Sequence, residues 1–588
     1  MCGIFAYAGT KTIGQKVVLK GLKALEYRGY DSWGLAVRLA DGQWWILKQI
    51  GKISNFSGSS LPKSSFVFGH TRWATHGGVT RENAHPHQDC HSDITLIHNG
   101  IVENYHSLKA KLQSQGHVFI SETDSEVIAH QIEAFRHTAN LEKAVLKTFR
   151  LLEGQSAIIA ADRQNDYFVA VKKGSPLVVG YAPNANFIAS DPSALIPYTR
   201  QLYFLRDGEA AIVSRKGIVI KDSLTGHEKS IKPIKADAQV KTSVKGRFAH
   251  FMLKEIYEQP TVVQNIVDEP HRVNALVTDL NRYANISLVG CGSAYHAALM
   301  AKQCMADIAG RPVVAEIAGD AADALHLYPS SHLMIALSQS GETMDILTTV
   351  KLAKQKQVRL DSLVNVVGSA LFRESDIVIP LNAGHERAVA TTKAFMAKTA
   401  LLLLSAYQVN RQGNEGVKHL KALKTGIQQL LKPALQRKIK TVAECLKDSV
   451  HAFIIGRGLA SIANLEIALK LKEVAYIHAE SYKGSEIKHG PIALIETGTP
   501  VLAFMGNDQY LADNLSTVAE LKARGGYIIG ISPQADECFA AHIPVPDCGY
   551  ETALLNVVIG QLLAYYLAVA RGLDPDMPRN LAKSVTVK

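Results

Sequence analysis

The 588-residue chain has no pair of cysteines at redox or metal-binding spacing. Its seven cysteines, at positions 2, 90, 291, 304, 445, 538 and 548, are odd in number and form no C-x-x-C. That fits a reducing, cytoplasmic setting and argues against a disulfide framework or a zinc site, so no metal is expected. The start, MCGIF, lacks a basic region followed by a long apolar run, so no secretory signal is expected. Uninterrupted membrane-length runs are missing too. The most apolar stretch, 554–570, is broken by Asn556, Gly560 and Gln561 and reads as a buried helix. Charge of one sign is nowhere blocked together. The 64 Lys+Arg against 53 Asp+Glu leave +11, but the lysines are scattered, and the densest run, 418–440, has the periodicity of one solvated helix face. A nucleic-acid binder would concentrate such charge beside aromatics, so neither nucleic acid nor membrane is expected as a partner. An anionic small substrate accounts for the excess about as well.

What remains is an ordinary soluble composition, 47% hydrophobic and 20% charged, on a chain long enough for about three or four domains. Residues 2–225 carry short alternating runs at 4–7, 35–38, 44–48, 94–98, 157–160, 168–171 and 211–213, with helical patterns at 102–113 and 125–136. This predicts a strand-dominated layer domain with helices outside. The stretch 226–245 is polar and lysine-rich and reads as a linker. Beyond it the pattern changes to apolar strand, glycine turn, helix. ISLVGCGSAYHAALMAK and AFIIGRGLASIANLEIALK share that organisation, and VVAEIAGD and IHAESYKG follow them at corresponding places. An internal duplication follows: two parallel-sheet α/β domains, at 246–415 and 440–578, with a tail at 579–588. Neither G-x-G completes a dinucleotide fingerprint.

Three stretches carry chemistry. In 464–491 a nearly all-apolar helix is interrupted by Glu466, Lys470 and Glu473 at i, i+4 and i+7, one stripe, with His489 on a Gly/Pro loop after it. This is either a salt-bridge ladder on a solvated face or a proton-transfer site facing a polar cavity; the apolar surroundings favour the second, because a buried charge must be paired. At 338–345, SQSGETMD lies between an apolar strand (333–337) and a helix (344–354). Ser338, Gln339, Ser340 and Thr343 then gather at a helix N-terminus, where amides and dipole favour an anion, although a simple N-cap box is the alternative. The third is the N-terminus. Removal of Met1 would make Cys2 the first residue, and its own α-amino group could act as base toward the thiol. TRWATHG (71–77), HNG (98–100) and ETD (122–124) supply what an amidase needs: Asn99 and the Gly100 amide as oxyanion donors, Arg72 for a substrate carboxylate and Asp124 for its ammonium. Glutamine carries both groups.

These motifs, with CGIFAY, YRGYDS (27–32) and NAHPH (83–87), resemble the glutaminase domain of class II glutamine amidotransferases, the N-terminal-nucleophile hydrolases. The resemblance implies Cys2 as nucleophile, Asn99 and Gly100 as oxyanion hole, Arg72, His76 and Asp124 as glutamine-binding residues, and Trp73 as the gate of an ammonia path. The remainder resembles the tandem sugar-isomerase (SIS) domains of the glutamine–fructose-6-phosphate aminotransferases, in the same domain order. The expected fold is therefore α/β and α+β multidomain: an N-terminal-nucleophile αββα glutaminase domain followed by two SIS three-layer αβα domains. By this resemblance Ser293, Ser338, Gln339, Ser340 and Thr343 bind the sugar phosphate, and Glu473 moves a proton between C1 and C2 with Lys470 beside it. His489 assists ring opening from the partner subunit of a homodimer, and Lys583 in PRNLAKSVTVK binds the ketone. Glutamine and fructose 6-phosphate are the implied substrates, and no metal or redox cofactor is implied.

The match departs from the family at Ala294, at Gly319–Asp320, and in NAGHERAVATTKAF (382–395), with His385, Arg387 and Thr391. The loop near 54–65 is also short. These changes leave the reaction class intact but open a rival, the same chemistry on another ketose phosphate. A non-catalytic sugar-phosphate sensor would need none of Cys2, Glu473, His489 or Lys583.

Overall fold

The computed structural model describes residues 2–58, 60–235 and 244–585. They divide into two compact units, Met1–Thr242 with Ala582–Lys588, and Ser243–Leu581.

In the first unit the alternating runs build two sheets, of eight and six strands, antiparallel throughout. Their facing sides bury Ile4, Phe68, Ile97, Ile159 and Phe168, and Phe66 stacks on Phe168 at 3.8 Å. Helix Gly14–Leu25 covers the outer face of the larger sheet with Val18, Leu22 and Leu25. Helices Tyr105–Ser114, Glu126–Arg136 and Leu141–Leu151 cover the outer face of the smaller one. The four layers are the expected αββα arrangement. Strand Phe66–Arg72, unforeseen in the sequence, pairs with both Gly3–Gly9 and Ser32–Arg38. It is buried along its whole length, so it shows no alternation. Its Gly69 reads as a break, yet a Cβ there would lie 2.7 Å from the Gly34 carbonyl oxygen, so only glycine fits between the strands. Within the stretch read as a linker, Ile234–Lys235 pairs with Gln201 and Leu202 at the edge of the larger sheet; 236–243 lie outside the described residues.

The second unit contains two five-stranded parallel sheets. The first runs Val314–Ile317, Asn285–Gly290, His332–Ser338, Arg359–Val364, Ile377–Pro380; the second runs His478–Lys483, His451–Gly456, Pro500–Phe504, Tyr527–Ser532, Ala541–Pro544. Numbered along the chain, each is ordered 2-1-3-4-5, so the duplication read from sequence is a duplication of topology. Helices Ser293–Ala309, Lys393–Val409, Leu459–Lys470 and Thr552–Ala570 form one core that both sheets share. Each sheet has its own outer layer, through Ile346 and Val350 on one and Val518 and Leu521 on the other. The apolar 554–570 stretch is the middle of this core, and its Gln561 accepts a bond from Gln259 Nε2 at 2.9 Å. The lysine-rich 418–440 run is two helices, Gly413–Leu430 and Pro433–Leu446, parted where Pro433 cannot continue the first.

Candidate functional site

Cys2 precedes a central strand of the larger sheet, and the register of that strand with its neighbour (Gly3 opposite Thr71) brings Trp73 beside it. The Trp73 amide donates to Cys2 Sγ at 3.3 Å. Gly3 is required by this closeness, since a Cβ would stand 2.5 Å from Thr71 Oγ1. Asn99 arrives from the facing sheet on strand Ile94–Val102 and donates through Nδ2 to the Cys2 carbonyl at 3.0 Å. His70 decides which end of that amide faces the cysteine. Its Nε2–H is shared between the carbonyl of His98 (3.0 Å) and Asn99 Oδ1 (3.1 Å), so nitrogen is turned toward Cys2. Burial drives the His70 pKa down to about 3, which keeps the ring neutral in this role. Gly100 follows with φ +131°, and a Cβ there would sit 1.9 Å from the Gln155 carbonyl oxygen. The placement of Asn99 and Gly100 thus depends on a buried neutral imidazole and on a position closed to any side chain.

Arg72 and Asp124 are both buried. Asp124 Oδ2 accepts from the Val102 amide at 2.7 Å, two residues beyond Gly100. Arg72 donates to the carbonyls of His76 (2.5 Å), Gly77 (3.1 Å) and Gly78 (3.0 Å). The guanidinium therefore shapes the 76–78 loop as well as standing near Cys2. Glu122 closes the loop from the other side, its Oε2 accepting from the Gly78 amide (3.2 Å) and Asn83 Nδ2 (3.0 Å). His76 contributes chiefly its carbonyl; its ring lies edge-on to Tyr105, with centroids 5.5 Å apart. Burial pushes the Cys2 thiol up, with the Trp73 amide and Arg72 among the groups opposing the rise. Asn83, Glu122 and His70 escaped the sequence reading. NAHPH and ETD were the available signals for the first two, whereas His70 shows only once the sheets face each other.

In the second unit the charged stripe is paired within a buried network. Lys470 Nζ lies 2.5 Å from Glu473 Oε2, 3.3 Å from Glu466 Oε1 and 3.2 Å from Ser293 Oγ. Glu466 also accepts from Ser293 Oγ (2.8 Å) and contacts His296 Nδ1 (2.8 Å). Glu466 and Lys470 are fully buried, while Glu473 is half-buried. The reason is local: helix Leu459–Lys470 passes into a π-turn, Leu471–Ala475, which turns Glu473 off the strict i+7 position. Despite burial, Lys470 and His296 hold the Glu466 carboxyl below its ordinary range, and the two carboxylates hold Lys470 above its own. The side chain of Ser293 is thus engaged with Glu466 and Lys470. His296, one turn on, was not singled out in the sequence.

Ser293 opens the helix after the first strand of its sheet, and Ser338–Thr343 follow the third; these strands are neighbours, where the 2-1-3-4-5 order reverses. Open α/β sheets bind ligands at that crevice. Strand His332–Ser338 and helix Met344–Gln355 lie as expected. Between them Ser338 Oγ accepts from the Gly341 amide (2.9 Å) and Ser340 Oγ from the Glu342 amide (3.1 Å), while Gln339 and Thr343 are half-buried. Gly341 has φ +68°, and a Cβ would fall 2.0 Å from Ser369 Oγ. Glu342 fastens the loop by accepting from the Ala370 amide at 2.9 Å.

His489 is exposed on the turn 484–490. Lys583 is half-buried and groups with the first unit, whereas Glu473 belongs to the second. Two of the departures at 385–391, Arg387 and Thr391, have structural duties. The Arg387 guanidinium lies 4.5 Å over the Phe251 ring, and Thr391 Oγ1 donates to Glu386, which also accepts from the Thr392 and Ala394 amides at the start of helix Lys393–Val409. Gly319 and Asp320 are exposed.

Two family models match the chain: the glutamine amidotransferase domain over residues 70–197, and the SIS domain twice, over 279–407 and 445–571. A glutamine–fructose-6-phosphate aminotransferase [isomerizing] of Pyrococcus horikoshii is 40% identical over 611 residues, covering 100% of both chains. That of Symbiobacterium thermophilum is 39% identical, again over 100% of both. Among solved structures, the C-terminal domain of glucosamine-fructose-6-phosphate aminotransferase from Francisella tularensis is similar, with TM-score 0.52 and 31% identity, over 57% of this chain and 100% of that one.

Proposed function

The chain belongs to the family of isomerizing glutamine–fructose-6-phosphate aminotransferases, and from that premise we propose how its residues divide the work. The enzyme takes the amide nitrogen of glutamine, releases glutamate, and converts fructose 6-phosphate to glucosamine 6-phosphate. With Met1 removed, the Cys2 α-amino group takes the thiol proton and the sulfur attacks the glutamine amide carbon. Asn99 Nδ2 and the Gly100 amide receive the oxyanion; a donor aimed in advance at developing charge in a buried site needs no reorganisation. Asp124 holds the glutamine ammonium. Arg72 orders the 76–78 loop and spends its remaining donors on the substrate carboxylate, and Trp73 gates the leaving ammonia.

In the second unit, Ser338, Gln339, Ser340 and Thr343 hold the phosphate at the start of helix Met344–Gln355. Glu473 carries the proton between C1 and C2. Lys470 positions that carboxylate through its 2.5 Å contact and is itself held by Glu466. Ser293 completes this network in addition to its phosphate role. Lys583 engages the ketone, and exposed His489 serves the sugar site of a second copy in a homodimer; both roles rest on family resemblance.

The observation that carries this reading is the co-occurrence in one chain of the Cys2–Asn99–Gly100 constellation and the Glu466–Lys470–Glu473 network at a sheet's switch point. The test is mass spectrometry of products from the purified protein with amide-labelled glutamine and fructose 6-phosphate. Labelled hexosamine phosphate is expected. Labelled ammonia without amino sugar would refute the acceptor assignment. Packing accounts for Arg387 and Thr391, so these departures lend no weight to a different sugar.

A further inference from the structure

On the outer side of the six-stranded sheet, away from Cys2 in sequence and unused by the reaction above, four side chains of different chemistry converge. They are Cys90, His117, His130 and Glu133, and one ligand atom from each lies within 4.8 Å of all the others. Cys90 Sγ is 3.7 Å from His117 Nδ1 and 3.4 Å from His130 Nδ1. Glu133 Oε2 is 2.9 Å from His117 Nδ1 and 3.4 Å from His130 Nδ1. We propose that these four residues form a closed, four-coordinate zinc site.

Most of the distances approach the edges of a tetrahedron around zinc, and the two remaining edges, Cys90–Glu133 and His117–His130, lie within 4.8 Å. Bonds of about 2.3 Å to sulfur and about 2.1 Å to nitrogen or oxygen give edges of about 3.6 Å for S···N and about 3.4 Å for N···O. Three of the four measured edges fall within about 0.2 Å of those values. Only the His117–Glu133 edge is tighter, as a direct hydrogen bond would make it. Without a metal the same atoms pair by hydrogen bonds, His117 Nδ1 with Glu133 Oε2 and His130 Nδ1 with Cys90 Sγ. A cation at the centre uses a lone pair from each.

The ligand set selects the metal. One thiolate, two imidazoles and a carboxylate in tetrahedral array suit zinc and exclude the all-oxygen preference of magnesium and calcium. Surrounding groups orient the ligands as such sites require. Glu133 Oε1 is held by His91 Nδ1 at 2.6 Å, and the Cys90 amide donates to Oε2 at 3.3 Å. Glu126 Oε1 lies 3.6 Å from His130 Nε2, on the ring edge opposite the site, which favours a proton on Nε2 and a free lone pair on Nδ1. A cavity of about 540 Å³ opens beside the cluster, lined among others by His87, Cys90, His117 and Glu133, and exposed Cys90 stands at the surface. The entry path is present.

Four protein ligands leave no open position, so the role is structural. His117 and His130 bracket the segment that contains Glu122 and Asp124, and their chelation would fix that segment from both ends. This consequence rests on the glutaminase reading; the metal site does not.

The experiment uses the full chain, stripped with a chelator and titrated with Co(II). Expected are one equivalent bound per chain, strong visible bands of tetrahedral cobalt, and a thiolate-to-cobalt charge-transfer band. Cys90→Ala, at an exposed position that leaves the core intact, should abolish the charge-transfer band, and His117→Ala should weaken binding at least tenfold. Zinc content of untreated protein should fall in parallel. Weak octahedral spectra, or a charge-transfer band that survives Cys90→Ala, would overturn the site. An unchanged glutamine KM on zinc removal would overturn the bracketing role alone.

Discussion

Replacing Lys470 by methionine keeps the stem of the side chain and removes the ammonium that sits among Glu466, Glu473 and Ser293. Volume is nearly conserved, so the cost is electrostatic. Glu466 remains wholly buried, retaining Ser293 Oγ–H and His296 but losing the cation 3.3 Å away. Removing one partner of a buried ion pair costs about 3–5 kcal/mol. At roughly 2 °C per kcal/mol for a unit this large, the melting temperature should drop by roughly 6–10 °C near neutral pH. The pH dependence carries the argument further. In the wild type the Glu466 pKa is depressed, so its contribution is complete above the unfolded carboxylate value of about 4.3 and is lost as pH falls through the folded value. In the variant, burial without the cation raises that pKa, so stability declines as pH rises through it. The deficit against wild type is therefore largest at pH 7–8 and narrows on acidification. Calorimetric melts of the full chain between about pH 5 and 8 read this directly. Glu466→Gln combined with Lys470→Met should recover much of the loss, because no uncompensated charge stays buried. A deficit independent of pH, or a double variant as unstable as the sum of the singles, would refute the coupling.

Other outcomes follow from the same geometry. Asn99→Ala should lower glutaminase kcat by about 10²–10³, the usual cost of one oxyanion donor, with fructose 6-phosphate isomerisation retained; equal loss of both activities in steady-state assays would contradict it. Gly100→Ala should abolish glutamine turnover, since its Cβ would stand 1.9 Å from a backbone oxygen at φ +131°, and near-normal kcat would disprove the stated closeness. Ser340→Ala should raise KM for the sugar phosphate by roughly tenfold or more, on the scale of a hydrogen bond to a charged group, while glutamine KM is constant. Arg387→Ala should reduce stability by about 0.5–2 kcal/mol through lost contact with the Phe251 ring and leave sugar KM unchanged; a shifted sugar KM would restore Arg387 to recognition.

Much of the architecture was open to a reader of the sequence because hydrophobic period reports burial. The strands around 4–7, 94–98 and 157–160 appear where alternation put them, within Gly3–Gly9, Ile94–Val102 and Gly154–Asp162. The repeated strand–glycine–helix pattern became two sheets of one order. Strand Phe66–Arg72 stayed hidden, since a strand buried on both faces loses the alternation that marks it. The helical stripe at 466, 470 and 473 was visible as spacing, but the π-turn that half-exposes Glu473 has no local signature.

Sequence alone determined the family, the order of its domains and the residue types available for chemistry, because motifs and hydrophobic periods are local properties of a chain. Tertiary structure decided the partnerships. Asn99 meets Cys2 across two facing sheets, in the orientation His70 imposes, and 97 positions separate the two residues. Ser293 is joined to Lys470 although 177 positions lie between them. Of Cys90, His117, His130 and Glu133 only the last two are near in sequence, three apart on one helix, and the missing C-x-x-C argues against zinc; strand pairing and helix packing gather all four within 4.8 Å. Spacing can announce a site built on one turn or one helix. A site assembled from several elements exists only after the core has folded, because burial of distant apolar residues is what brings its polar members together.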